Sequence, residues 1–220
     1  TSVGKSSLLS NTTGGNNTAV GRLALNVNTT GASNVAIGYQ ALDANTTADN
    51  NTAVGTSALT ANTTAINNIA IGSGAGTAIT TGGYNVAVGT NALKTITTTT
   101  ANVAIGERAL EDATGAAEQN TAVGAHALRE NTTASNNAAF GYFALGANTT
   151  GTGNVAVGHG AADANTTGSQ NTGLGVGALG ANTTADYNTA VGADALGTNT
   201  TGATNDAFGY YALQANTTGS

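Results

Sequence analysis

The stretch Asn34-Val-Ala-Ile-Gly-Tyr-Gln-Ala-Leu-Asp-Ala-Asn-Thr-Thr-Ala-Asp-Asn50 is followed at Asn51 by a near copy of itself. Twelve such copies start at Asn17, Asn34, Asn51, Asn68, Asn85, Asn102, Asn120, Asn137, Asn154, Asn171, Asn188 and Asn205. Every step is 17 residues except Asn102 to Asn120, which is 18. A short fixed period means one small supersecondary unit stacked on copies of itself around a shared core. The whole of 1–220 therefore reads as a single repeat segment, with irregular copies around 68–119.

With the starting Asn of each copy taken as position 1, position 5 is Gly and position 8 is Ala in all twelve copies. Position 4 is always apolar, position 3 is Ala except at Gly173, and position 9 is Leu except at Gly76 and Ala162. A helical repeat would space its apolar residues at 3.6 and use good helix formers. Here β-branched residues stand in runs of four or five between turn formers, which is the pattern of short strands. The fold expected is all-β: a parallel β-solenoid of about 13 coils of 17 residues, with strands about 4.8 Å apart.

Strand side chains alternate between faces. Position 4 is expected to fill the core together with Leu at position 9. The other face would then carry only Ala and Gly, and it never acquires charges or long polar side chains. That face is expected to be buried against another backbone. One Val and one Leu per coil bury little apolar surface against the entropy of ordering 17 residues. A homo-oligomer, in the simplest case a homotrimer, follows as an expectation. Asn at positions 1 and 12 is expected to tolerate left-handed backbone and to form amide ladders from coil to coil. Gly at position 5 is expected to supply a positive φ where the strand ends.

The net charge is −6 and charged residues are 7% of the chain, so no basic stripe could track phosphates or an anionic membrane. No nucleic-acid partner and no membrane insertion are expected. There is no Cys, hence no disulfide and no thiolate metal site. Both termini fall inside a repeat copy without a visible cap, so the natural protein is expected to continue at both ends.

The strands Asn34-Val-Ala-Ile-Gly38, Asn102-Val-Ala-Ile-Gly106 and Asn154-Val-Ala-Val-Gly158 resemble the head repeats of trimeric autotransporter adhesins. The longer phrase Asn-Thr-Ala-Val-Gly…Ala-Leu…Asn-Thr-Thr-Gly is similar to repeats of phage tail-fibre-like proteins. The resemblance covers essentially the whole chain, although adhesin-head coils are usually shorter. It implies a left-handed β-roll with three chains around one axis; the residues alone leave the hand open. It also implies an extracellular fibre on a cell or virion surface that carries or forms an attachment site. The partner would be a cell-surface glycan or a protein receptor.

Signals for chemistry are weak. Gly4-Lys5-Ser6 looks like the end of a phosphate loop, but Gly4 is a repeat glycine. Gly72-x-Gly74-x-Gly76 and Gly173-x-Gly175-x-Gly177 lack the dinucleotide fingerprint's last glycine and its βαβ context. No repeat position is regularly Asp, as a calcium β-roll requires. His126 and His159 stand at different repeat positions without a paired acid or nucleophile. No catalytic residue, cofactor or metal is expected, and the chain does not read as an enzyme.

Three features remain. Asn-Thr-Thr occurs ten times, each a formal glycosylation sequon, and turn geometry explains the regularity better. The recurring Thr-Thr pair would stack Thr29, Thr46, Thr63, Thr132, Thr149, Thr166, Thr183, Thr200 and Thr217 into ladders. Such arrays serve solenoid ice-binding proteins, which makes ice binding the sharpest rival function. A self-assembling extracellular filament is a further one. Finally, Tyr142-Phe143 and Tyr210-Tyr211 are paired aromatics at positions 6 and 7, in the copies where position 4 is Phe140 or Phe208. They are candidate sugar or receptor contacts. Local packing around the larger core residue is the blander and favoured reading.

Overall fold

The computed structural model describes residues 1–220 and contains strands and turns but no helix. It divides into two units, Thr1–Arg108 and Ala109–Ser220. The first unit holds β1 (Ser2–Val3), β2 (Thr18–Val20), β3 (Val35–Ile37), β4 (Thr52–Val54), β5 (Ile69–Ile71), β6 (Val86–Val88) and β7 (Val103–Ile105). The second holds β8 (Thr121–Val123), β9 (Ala138–Phe140), β10 (Val155–Val157), β11 (Thr172–Leu174), β12 (Thr189–Val191) and β13 (Asp206–Phe208). Within each unit every strand pairs in parallel with the next in the chain. Val20 lies beside Ile37, and Val157 beside Leu174, one repeat apart. The protein is a parallel β-solenoid with one coil per repeat.

Pairing continues beyond the three-residue strands around the coil. The Gln40 N–H donates to the Arg22 carbonyl of the preceding coil at 3.1 Å. The Leu42 N–H donates to Ala58 of the following coil at 3.0 Å, and Thr29 to Thr46 at 2.8 Å. Corners make this possible. Position 5 glycines have φ near +135°, as at Gly55 and Gly89. Positions 7, 9 and 17 are also left-handed, with φ of 55° at Gln40, 52° at Leu42 and 61° at Asn50. Such backbone costs a non-glycine residue about 1–2 kcal/mol, least where Cβ is unbranched. Thr204 is the one β-branched residue among the left-handed ones. The buried Asn ranks at positions 1 and 12 are not left-handed, contrary to expectation; their work is done by the side chain.

The alternation of the strand also runs opposite to expectation. Alanine at position 3 points into the coil, and position 4 points out: Ala36 is 0% exposed and Ile37 is 40% exposed. The reason is room. At Gly173, the one exception at position 3, an added Cβ would stand 3.1 Å from the Ala178 carbonyl oxygen and 3.6 Å from Leu179 Cδ1. A methyl just fits there and a Val does not. Each coil is filled by Leu at position 9, Ala at positions 3 and 8, and the two Asn ranks. The inference of a partner chain sealing an Ala/Gly face therefore falls, because the alanines meet their own coil's leucine. Phe140 and Phe208 are likewise exposed rather than core residues.

The irregular copies are accommodated locally. Gly76 removes the Leu of its coil, and buried Ile79 replaces the usual Asn. An added Cβ at Gly76 would meet Ile79 Cδ1 and Leu59 Cδ2, each at 3.0 Å, so these two side chains occupy the space of the missing leucine. The extra residue before Asn120 is absorbed in a turn in which the Ala117 N–H donates to Thr114 O, with Gly115 at φ 56°.

Position 5 should be intolerant. A Cβ on Gly89 would lie 2.4 Å from the Gly106 carbonyl oxygen, at a φ of +135°. Gly89→Ala is expected to cost about 3 kcal/mol or more. Gly15 has nothing within 4 Å of such a Cβ, so Gly15→Ala should be neutral or stabilising by up to ~1 kcal/mol. Denaturant titrations of the two variants, side by side, check this contrast.

Candidate functional site

Two asparagine ranks run through the interior. At position 1, the Oδ1 of Asn17 accepts the Asn34 backbone N–H at 2.9 Å, and its Nδ2 donates to Gly31 O at 2.7 Å. At position 12, the amides bond to each other: Asn45 Nδ2 donates to Asn28 Oδ1 at 2.7 Å and to Ala48 O at 3.1 Å. Both ranks thus converge on the carbonyl at position 15. In the second unit Asn154 and Asn165 reach Gly168 O at 2.8 and 2.9 Å. A coil this narrow turns backbone carbonyls inward where no water follows, and buried carbonyls need donors. Asn supplies two N–H groups and an acceptor on a short side chain. The expected ladders are present, and position 12 lacks its amide where Ile79, Ile96 and Ala113 stand.

The threonine rank has a structural use of its own. Thr29 Oγ1 donates to Thr46 O at 3.0 Å, and the same bond recurs from Thr46, Thr63, Thr132, Thr149, Thr166, Thr183 and Thr200 to the following coil. Thr217 is the acceptor carbonyl for Thr200. The second Thr of each pair, such as Thr30 or Thr150, faces solvent.

The aromatic pairs stand on the outward corner that follows the strand. Tyr142 and Phe143 meet edge-on with centroids 5.0 Å apart. Stacking then brings in both histidines. His126 lies against Phe143 at 5.0 Å, and His159 against Tyr142 at 5.4 Å with planes 16° apart. Arg129 lies 5.2 Å over the Phe143 ring and is paired with Glu130. The histidines had no visible role in the linear sequence. The signal that finds them is repeat position: His126 and Phe143 share position 7 in adjacent copies, and Tyr142 and His159 share position 6. Tyr210 and Tyr211 contact each other at 4.1 Å in another coil. In the first unit Arg22 sits 5.6 Å over Tyr39.

Two groups are electrostatically displaced. Burial raises the Asp163 carboxyl above the ordinary value, against the opposing effect of its own and Ala164's N–H groups and of His159. The hydrogen bond that the Tyr211 hydroxyl donates to neighbouring Tyr210, with the nearby Tyr210 and Asp194 oxygens, raises it above the ordinary value. Gly4, the glycine of the apparent phosphate loop, is an ordinary position 5 corner at φ +129° with no helix behind it. No group of three or more His, Cys, Asp or Glu is arranged to hold a metal ion.

No protein-family model matches the chain, and no similar curated protein or solved structure is found.

The ladder makes two expected outcomes checkable. Asn165 donates to Asn148 Oδ1 and Gly168 O, and accepts from Asn182 at 3.0 Å. Asn165→Ala should cost about 3 kcal/mol by leaving these groups unanswered. Asn165→Asp should be worse near neutral pH, where a buried carboxylate faces two oxygens, and should recover as pH falls and the acid protonates. Chemical unfolding across a pH series reads both. Asn148 and Asn165 are also fully buried sequon residues. Intact mass of folded protein from a glycosylating host is expected to show no glycan on either.

Proposed function

We propose that this chain is a structural segment of an extracellular fibre, from a surface adhesin or a phage tail fibre, that assembles with copies of itself. No catalytic role is proposed. One observation carries the reading. The sheet's inner face is closed by alanine, and its outer face keeps a rank of apolar side chains half-exposed, including Val20, Ile37, Val54, Ile71 and Val88 in the first unit. Val155 and Val157 in the second unit do the same. Contiguous apolar surface of this kind on a sheet marks a protein contact. A solvated antiparallel or solenoid face would carry polar residues there. The position 2 neighbours, Thr18, Val35, Thr52 and Ile69, widen the stripe.

The proposed assembly is a homotrimer, as the resemblance to trimeric adhesin heads implies. It now rests on the β-branched face rather than on the alanines. The function is mechanical. Ladder bonding around the whole coil resists shear, and the fibre presents or contributes to a receptor-attachment site on a cell or virion surface, with multivalency from its copies. Ice binding through Thr29, Thr149 and their rank is less well supported, because those hydroxyls already donate to backbone carbonyls. The exposed second threonines are what remains to that reading.

Light scattering should give about three times the chain mass of 21.1 kDa. Ile37→Asp with Ile71→Asp should dissociate the assembly while leaving the far-ultraviolet spectrum unchanged, since both side chains are already half-exposed in the single chain. A clean wild-type monomer would sink the proposal. Thermal hysteresis that disappears in Thr149→Leu would put ice binding in its place, and micrographs of unlimited filaments would favour open-ended self-assembly.

A further inference from the structure

The corner at positions 6, 7 and 10 of the repeat gathers aromatic, imidazole and carboxylate side chains in consecutive coils of the second unit. At one end Tyr142 is stacked on His159, with Phe143, His126 and Arg129 packed behind it. Tyr142 is 49% exposed, and His159 is exposed as well. The next coil places Gly177 and Gly180 at positions 7 and 10, beside Val176 at position 6, which is 56% exposed. A carboxylate lies against each glycine. Asp163 Oδ1 stands 3.7 Å from where a Cβ of Gly180 would be, and Asp194 Oδ1 stands 2.4 Å from where a Cβ of Gly177 would be. From coil to coil the corner therefore carries an aromatic ring, then an imidazole and a carboxylate, then an exposed valine beside two glycines, then a second carboxylate.

From this arrangement we propose that the corner between Tyr142 and Asp194 binds a neutral carbohydrate. A pyranose has an apolar C–H face and a rim of hydroxyls. The first fits the exposed Tyr142–His159 stack. The second fits carboxylates, which accept charge-assisted bonds from hydroxyl pairs. Exposed Val176 continues the apolar surface from the stack toward Asp194. An anionic ligand is disfavoured by the two carboxylates, and Arg129 is already paired with Glu130. A quaternary ammonium ligand needs several ring faces around one point, whereas Tyr142 and His159 lie parallel in one stack and enclose none. The patch lies on the corner rather than on the outer strand face, and the inference stands whether or not the chain trimerises.

The test is a screen of immobilised neutral oligosaccharides against the full chain, with titration calorimetry on the best binder and choline and sialic acid as comparison probes. Saturable binding to a neutral glycan is expected. Tyr142→Leu, which keeps bulk but removes the π face, and Asp194→Asn should each weaken it about tenfold or more. Tyr39→Leu, in the first unit, should leave it unchanged. Circular dichroism establishes that the variants fold, and His159→Ala replaces Tyr142→Leu if that variant does not. The proposal is overturned by an absence of saturable neutral-glycan binding, by binding that folded Tyr142 and Asp194 variants retain in full, or by a preference for choline or sialic acid.

Discussion

The narrowness of the coil is the constraint on which the rest of the structure depends. Seventeen residues that close a loop around one leucine and two alanines leave no space for water, yet the loop must turn, and turning points carbonyls inward. Each inward carbonyl has to find a donor inside the same thin cross-section. Asparagine is the smallest side chain that donates twice and accepts as well. The two Asn ranks are accordingly a consequence of size: they answer the carbonyls at Gly31, Ala48 and Gly168 and also bind neighbouring coils together. Where position 12 is Ile79, the coil loses a leucine at Gly76, so interior volume is conserved even as chemistry changes.

The same constraint sorts the strand's two faces. A methyl is the largest group that fits opposite Leu179, as the contacts around Gly173 demonstrate. Larger apolar residues must therefore stand outside, even though transfer from water would favour burying them. An interior built of Ala, Leu and Asn, wrapped by an outer rank of Val and Ile, inverts the usual distribution. It leaves an apolar surface whose burial awaits another molecule, which is the physical basis for assembly.

The corners carry the departures from regularity. Positions 6, 7 and 10 contribute nothing to the interior, so substitutions there are free of the volume constraint. In-register stacking turns residues seventeen apart into neighbours. That is how His126, Phe143, Tyr142 and His159 become one cluster, and how Asp163 and Asp194 come to lie against Gly180 and Gly177 of the coil between them. Variation concentrates on the surface that the repeat leaves unconstrained.

Much of this was legible in the linear chain. The period from Asn17 to Asn205 fixed one coil per copy, the β-branched runs placed the strands, and the glycine after each strand marked the positive φ. The amide ladders followed from two Asn per copy in register, because a constant period aligns like with like. What the chain alone left ambiguous was which face of a three-residue strand looks inward. Alternation is symmetric under exchange of faces, and hydrophobicity ranks Val above Ala, so local reasoning placed Val20 and Ile37 inside. Only closure of the coil decided otherwise: the left-handed corners at positions 7, 9 and 17 bring the leucine so near the strand that steric room overrides the gain from burying a larger side chain.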